Sequence, residues 1–145
     1  MKDYLTLLEE FRQLIKENGL KFTKQRELVL KILYDNSGHF TPENIYNLIK
    51  SNYPDITIGI ATIYRTLTLL EESNMVNSIS FGSKGKKYEL GIKDHHDHLI
   101  CIECGRLIEF QDEIIEKRQE AISKKFDFKM TGHTMNIIGI CKDCQ

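Results

Sequence analysis

The four cysteines of the chain fall as two pairs with one spacing, Cys101-Ile102-Glu103-Cys104 and Cys141-Lys142-Asp143-Cys144. Just ahead of the first pair runs His95-His96-Asp97-His98. Four thiolates close a tetrahedron around zinc and leave no open position, which is how structural zinc is held. Imidazoles mixed with carboxylates suit a more exchangeable divalent ion such as iron, manganese or zinc. The segment therefore predicts a metal sensor, with one ion holding the fold and another read as a signal. Cysteine pairs have other uses. Redox motifs of this spacing come singly and near a βαβ pattern, and disulfides belong to oxidising compartments. The opening Met1-Lys2-Asp3-Tyr4-Leu5 has no apolar signal core, and no run approaches the ~18 apolar residues of a membrane span. That predicts a cytoplasmic chain with reduced thiols, and hence zinc. The pairs stand too far apart for a compact zinc ribbon, so a folded element must lie between them.

Residues 95–101 read as a strand, whose side chains alternate. His96, His98 and Ile100 then point one way; His95, Asp97 and Leu99 point the other. One ribbon offers a His/His pair on one face and a His/Asp pair on the opposite face, and each needs partners from elsewhere. Glu89 lies just upstream, Glu109 on the next strand, and Glu116 in the first turns of the following helix. His133 precedes the last strand and His39 lies in a turn of the first half. All five histidines fall at junctions between elements, which makes at least one metal site besides the cysteines a reasonable expectation.

These residues need a scaffold. Tyr4, Leu7, Leu8, Phe11, Leu14 and Ile15 recur at helical spacing and Gly19 can end that helix. Thr23 can cap a second helix carrying Leu28, Ile32 and Leu33, which Asn36-Ser37-Gly38 breaks. Thr41-Pro42-Glu43 is a strong start signal for a third, with Ile45, Leu48 and Ile49. After the turn Asn52-Tyr53-Pro54-Asp55, a fourth runs from 60 to 73. Residues 76–81 and 87–90 read as strands joined by Gly82-Ser83-Lys84-Gly85-Lys86, a glycine-bearing turn with a basic tip. Helices followed by such a hairpin make the order of a winged helix-turn-helix. After a hinge at 91–94, the pattern is strand (97–102), strand (106–110), helix (112–126) and strand (134–140). The fold class expected is α+β: a winged helix-turn-helix over 1–90, then a small α/β domain over 95–145.

In the fourth helix, Ile60, Ile63, Leu67 and Leu70 gather on one face, and Ala61, Thr62, Arg65 and Leu69 on the other. Small residues near the N-terminus followed by an arginine suit a recognition helix entering the major groove. Arg65 could bond guanine or phosphate, and Thr62 and Tyr64 thymine methyls or phosphates. A solvated amphipathic helix has the same pattern. Composition leaves both open: formal net charge is −1 over 145 residues, with about +1 on 1–90 and about −2 on 91–145, and a small basic face can hide in a neutral total.

With these motifs in hand, the chain resembles the ferric uptake regulator family. The match is carried by Gly19-Leu20-Lys21-Phe22-Thr23-Lys24-Gln25-Arg26, by Gly59-Ile60-Ala61-Thr62-Ile63-Tyr64-Arg65-Thr66-Leu67, by His95 through Gly105, and by the closing cysteine pair. The resemblance implies a winged-helix DNA-binding domain, a hinge and an α/β dimerisation domain. It implies a homodimeric bacterial repressor, not an enzyme, that binds double-stranded operator DNA when metal-loaded and controls iron homeostasis. Residue by residue, Cys101, Cys104, Cys141 and Cys144 match the structural zinc site. His39, Glu89, His96, His98 and Glu109 match the regulatory metal site, and His95, Asp97, Glu116 and His133 an additional one. Tyr64 and Arg65 match recognition-helix contacts, and Lys21 a lysine reaching the minor groove. Peroxide-sensing members carry aspartates where this chain has Glu89 and Glu109, and zinc-responsive members usually differ around the His-rich strand. That favours Fe2+ as the signal, with Mn2+, Zn2+ or Co2+ as substitutes in the test tube. Peroxide-, zinc- or manganese-responsive regulators of the same family are the alternatives. From other classes, a small zinc metalloenzyme and a zinc-ribbon interaction module stand as rivals. Tetramers of the dimer are a further expectation left open.

Overall fold

Asp3, Thr23, Thr41 and Asp112 each turn a side-chain oxygen onto the exposed amides of a following helix, and these caps set most of the element boundaries. In the computed structural model, which describes residues 2–80, 85–91 and 95–145, the backbone divides into two units, Met1–Lys93 and Asp94–Gln145.

The first unit holds α1 (Tyr4–Glu17), α2 (Lys24–Asp35), α3 (Pro42–Asn52) and α4 (Ile60–Glu72), then β1 (Val76–Ser80) and β2 (Lys86–Leu90). Thr41 and Asn44 form a reciprocal capping box at the start of α3, with Pro42 in its first turn, a position where a missing N–H costs nothing. β1 and β2 pair antiparallel, Val76 opposite Leu90. Phe40 adds a bridge to Tyr88 through two backbone hydrogen bonds of 2.9 and 2.8 Å, which brings His39 alongside Glu89. The interior is formed by Leu7, Phe11, Leu28, Leu33, Ile45, Ile63, Leu67 and their neighbours, all essentially inaccessible. Gly91 closes the unit: its amide bonds the Met75 carbonyl at 2.9 Å, and a Cβ there would meet the Asn74 carbonyl oxygen at 3.1 Å. The rest of the expected hinge (92–94) and the expected wing tip (81–84, with Lys84) lie outside the described residues.

The second unit holds β3 (Asp97–Cys101), β4 (Leu107–Phe110), α5 (Glu113–Lys125) and β5 (Asn136–Gly139). The sheet order is β4-β3-β5, with β4 antiparallel and β5 parallel to β3. α5 is the crossover that a parallel pair requires. Little of this unit is buried. α5 has no buried residue, and Leu99, Ile108 and Ile137 lie side by side across one face of the sheet, all exposed.

Two expectations are corrected. Leu69, read onto the open face of α4, is buried in the core, while Ile60, read onto the inner face, is exposed. The inner face of α4 is wider than one stripe because α2, α3 and β1 all pack on it. His98 does not lie at a junction; it is a buried residue inside β3.

Candidate metal centres and nucleic-acid interface

The Sγ atoms of Cys101, Cys104, Cys141 and Cys144 all lie within 4.8 Å of one another. Four sulfurs at the usual ~2.3 Å from zinc stand about 3.8 Å apart along a tetrahedron's edges; Cys104 and Cys141 are separated by 3.7 Å. The first pair is shaped by a tight turn in which the Gly105 amide bonds the Cys101 carbonyl at 2.9 Å. Gly105 has φ +74°, a conformation that favours glycine. The second pair is a single 3-10 turn, Lys142–Cys144. Cys101 Sγ accepts the Cys141 amide at 3.3 Å. Backbone donors, chiefly from Cys104 and Cys141, lower its pKa to about 6. Cys144, beside sulfurs that compete for its proton, is pushed up to about 12. One thiol is readily ionised and the last is resisted, so full ionisation of the cluster requires a cation, and the donor set fits zinc. Arg106, just after the first pair, bonds Asp143 within the second at 2.6 Å. Nothing in the cysteine spacing announces that tie, which joins the two turns and brings a positive charge to a thiolate-rich site.

The histidines separate by face. His95 and His133 approach Nε2 to Nε2 at 2.8 Å, and stand 3.5 and 3.3 Å from Asp97 Oδ1. Asp97 is only 1 % exposed, and neither carboxylate oxygen has a hydrogen-bond partner among the described residues. A buried carboxylate so placed is costly unless a cation neutralises it. Ligand atoms ~2.1 Å from one ion stand about 3.0 Å apart at octahedral and about 3.4 Å apart at tetrahedral angles, so these three residues fit a divalent ion. Glu116 is not in this group; its Oε1 accepts from Gln111 at 3.4 Å. His96 and His98 stack edge-on with ring centres 4.8 Å apart, and His96 Nε2 is 3.5 Å from Glu109 Oε1. In the first unit, His39 Nε2 and Glu89 Oε2 are 3.1 Å apart, both side chains 5 % exposed. Each of these sets has the nitrogen/oxygen chemistry of an exchangeable divalent site.

On α4, Ala61, Tyr64, Arg65 and Thr68 are exposed and Thr62 is half-buried. Arg65 extends from the same surface as Tyr64, whose hydroxyl donates to Glu43 Oε1 on α3 at 2.8 Å. That contact and partial desolvation raise the Tyr64 pKa. Lys21 is exposed in the loop before α2, where the Arg26 guanidinium bonds its carbonyl. Sequence reasoning gave no site role to Glu43, read as part of a helix start, or to Arg26, read within the family match; their contacts with Tyr64 and Lys21 are seen only in the folded chain.

The sequence model of the "Ferric uptake regulator family" matches residues 17–138. The "Ferric uptake regulation protein" of Campylobacter jejuni is 56% identical over 142 residues, covering 98% of this chain and 90% of the relative. A Helicobacter pylori ferric uptake regulator, described as having three functional metal binding sites, superposes with a TM-score of 0.88 at 40% identity, covering 99% and 95% of the two chains. A ferric uptake regulator from Francisella tularensis, solved with iron, superposes with a TM-score of 0.75 at 34% identity, covering 87% and 95%.

Proposed function

Because the chain belongs to the ferric uptake regulator family, whose members are metal-responsive transcription regulators and not enzymes, we propose that it is an iron-dependent repressor. It binds operator DNA as a homodimer when loaded with Fe2+. The observation that carries this reading is that each unit holds a close imidazole–carboxylate pair, His39–Glu89 at 3.1 Å in the first and His96–Glu109 at 3.5 Å in the second. Together with His98, these residues would hold the regulatory ion. Bonded jointly by donors from both units, such an ion would favour the arrangement that lets all of them reach it. The gain is limited to its differential affinity for that arrangement. Residues 1–90 would then form the DNA-binding domain, 91–94 the hinge and 95–145 the dimerisation domain. Glutamates at positions 89 and 109, where peroxide-sensing members carry aspartates, support the iron-responsive reading.

The remaining ligands have other tasks in this reading. Cys101, Cys104, Cys141 and Cys144 hold structural Zn2+. His95, Asp97 and His133 hold an additional ion inside one domain, where it cannot set an angle between two; Glu116, expected beside them, stands outside that group. Arg65, Tyr64 and Thr62 meet the major groove and Lys21 the minor groove. The homodimer is supported by the open edge of β5 and by the exposed row Leu99, Ile108 and Ile137, a sheet face that needs a cover. Ile114 and Phe126, on and after α5, are exposed apolar side chains as well. No helix among the described residues is long and apolar enough to cross a membrane, in keeping with a repressor working in the cytoplasm.

The test is DNA binding by the wild type, His96→Ala and His95→Ala against ferrous ion concentration without oxygen. His96→Ala should lose metal-activated binding while keeping zinc and the dimer, and His95→Ala should lose less. Full activation of His96→Ala would defeat the inter-domain role, and equal losses would defeat the separation of the two sites.

A further inference from the structure

Glu43 is an exposed carboxylate in the first turn of α3, fixed there by the Thr41/Asn44 capping box. It lines a cleft of about 370 Å³ with Thr41, Pro42, Tyr64, Lys86 and Tyr88, so it shares the surface from which the recognition helix would meet a duplex. An anion is unexpected there, because phosphate neutralisation supplies most non-specific affinity for DNA. Its partner gives it a use. The Tyr64 hydroxyl donates to Glu43 at 2.8 Å, so the phenol proton is directed at the protein and not at a phosphate. Tyr64 is 46% exposed; with its hydroxyl held, the open part of the ring is a fixed apolar surface of the kind that reads a thymine methyl. The same contact is the first cause of the raised Tyr64 pKa.

The geometry points to Glu43 as a specificity-determining residue of the DNA face, holding Tyr64 for base contact while its charge opposes the phosphates of every sequence alike. Specificity is a difference of affinities, and phosphate contacts carry no sequence information; the carboxylate's charge therefore lowers affinity for every duplex, and the discrimination comes from the ring it holds. This inference rests on the reading of α4 as the DNA-reading helix.

The experiment uses full-length, manganese-loaded protein and two duplexes of equal length. One is selected in vitro from a random pool by the wild type, and the other is a scrambled version of it. Glu43→Gln keeps an acceptor for Tyr64 but removes the charge. It should tighten binding to both duplexes about threefold, the size of one screened charge near a phosphate, and steepen the salt dependence, with the affinity ratio kept. Glu43→Ala should steepen it equally and tighten the scrambled duplex as much but the selected one less, lowering the ratio, because Tyr64 is released. Tyr64→Phe should weaken the selected duplex alone. A carboxylate serving only the helix dipole would lower the melting temperature and leave the affinity ratio and salt slope unchanged; that result overturns the inference. A wild type that selects no duplex overturns the DNA-reading role of α4 as well, so the two failures are distinguishable.

Discussion

Nineteen of the twenty-one buried apolar side chains among the described residues belong to the first unit, and the second contributes only Ile100 and Cys101. The first unit encloses its interior with four helices and a hairpin. The second, residues 94–145, buries as many polar groups as apolar ones among its described residues: Asp97 and His98 beside Ile100 and Cys101. A unit below ~70–80 residues seldom gains enough from its own core and usually adds a metal, disulfides or oligomerisation. The cysteines are free and clustered for zinc, and the exposed apolar row across the sheet suits a second copy. A domain that lacks a private core can thus have its order set by metal and partner. The half read as touching DNA carries its own stability.

The largest effect should come from removing the zinc. Cys101→Ser, or strong chelation, should unfold the second unit, since structural zinc carries on the order of 10 kcal/mol of apparent binding free energy coupled to folding. Residue-resolved hydrogen exchange should show β3 and β4 losing protection while α2 and α4 keep theirs, alongside zinc loss by elemental analysis. A Cys101→Ser protein with β3 still protected would break the comparison at its root.

The next effect contrasts two apolar substitutions. Leu67 is fully buried in α4, and Leu67→Ala should destabilise the first unit by about 2–5 kcal/mol, read from its urea midpoint. Ile137, 45% exposed on β5, should behave oppositely. Ile137→Asp should leave the first unit's midpoint in place and shift the dimer toward monomer in sedimentation at low protein concentration. If Ile137→Asp remains dimeric, the row of Leu99, Ile108 and Ile137 is not the face that a second copy covers.

Local signals were legible in the sequence, and distant ones were not. Thr23 and Thr41-Pro42 gave the starts of α2 and α3, because a cap is chemistry between residues three apart. The alternation of 95–101 separated His95 and Asp97 from His96 and His98, because a strand's period is geometric. His98 was misread as junctional because its burial depends on strands arriving from later in the chain. Leu69 was misplaced because a stripe drawn from one helix cannot show how many neighbours pack against it. Glu43–Tyr64 and Arg106–Asp143 join side chains far apart in sequence, and no periodicity relates such positions.

The smallest effect makes the same change to the start of one helix in each unit. Thr41 Oγ1 accepts the Asn44 amide at 3.0 Å, and Asp112 Oδ1 accepts the Ile114 and Ile115 amides at 2.9 and 3.0 Å. Replacing either with alanine should cost about 0.5–2 kcal/mol. The consequences should differ. α3 is anchored by buried Ile45 and Ile49, so Thr41→Ala should lower the first unit's melting temperature by about 4–8 °C per kcal/mol with the helix intact. α5 has 13 residues and none buried, and helices shorter than ~12–15 residues are marginal alone. Besides the half-burial of Ile115 and Gln119, its support includes the Asp112 cap, with Glu113 and Glu116 at the positive end of its dipole and Lys124 and Lys125 at the negative end. Asp112→Ala should therefore fray the helix itself, seen as faster exchange of the Ile115 and Glu116 amides, and the fraying should diminish as protein concentration rises and a second copy covers Ile114 and Phe126. If those amides stay protected in dilute Asp112→Ala protein, α5 is held by burial within its own unit, and the contrast between the two halves is one of degree.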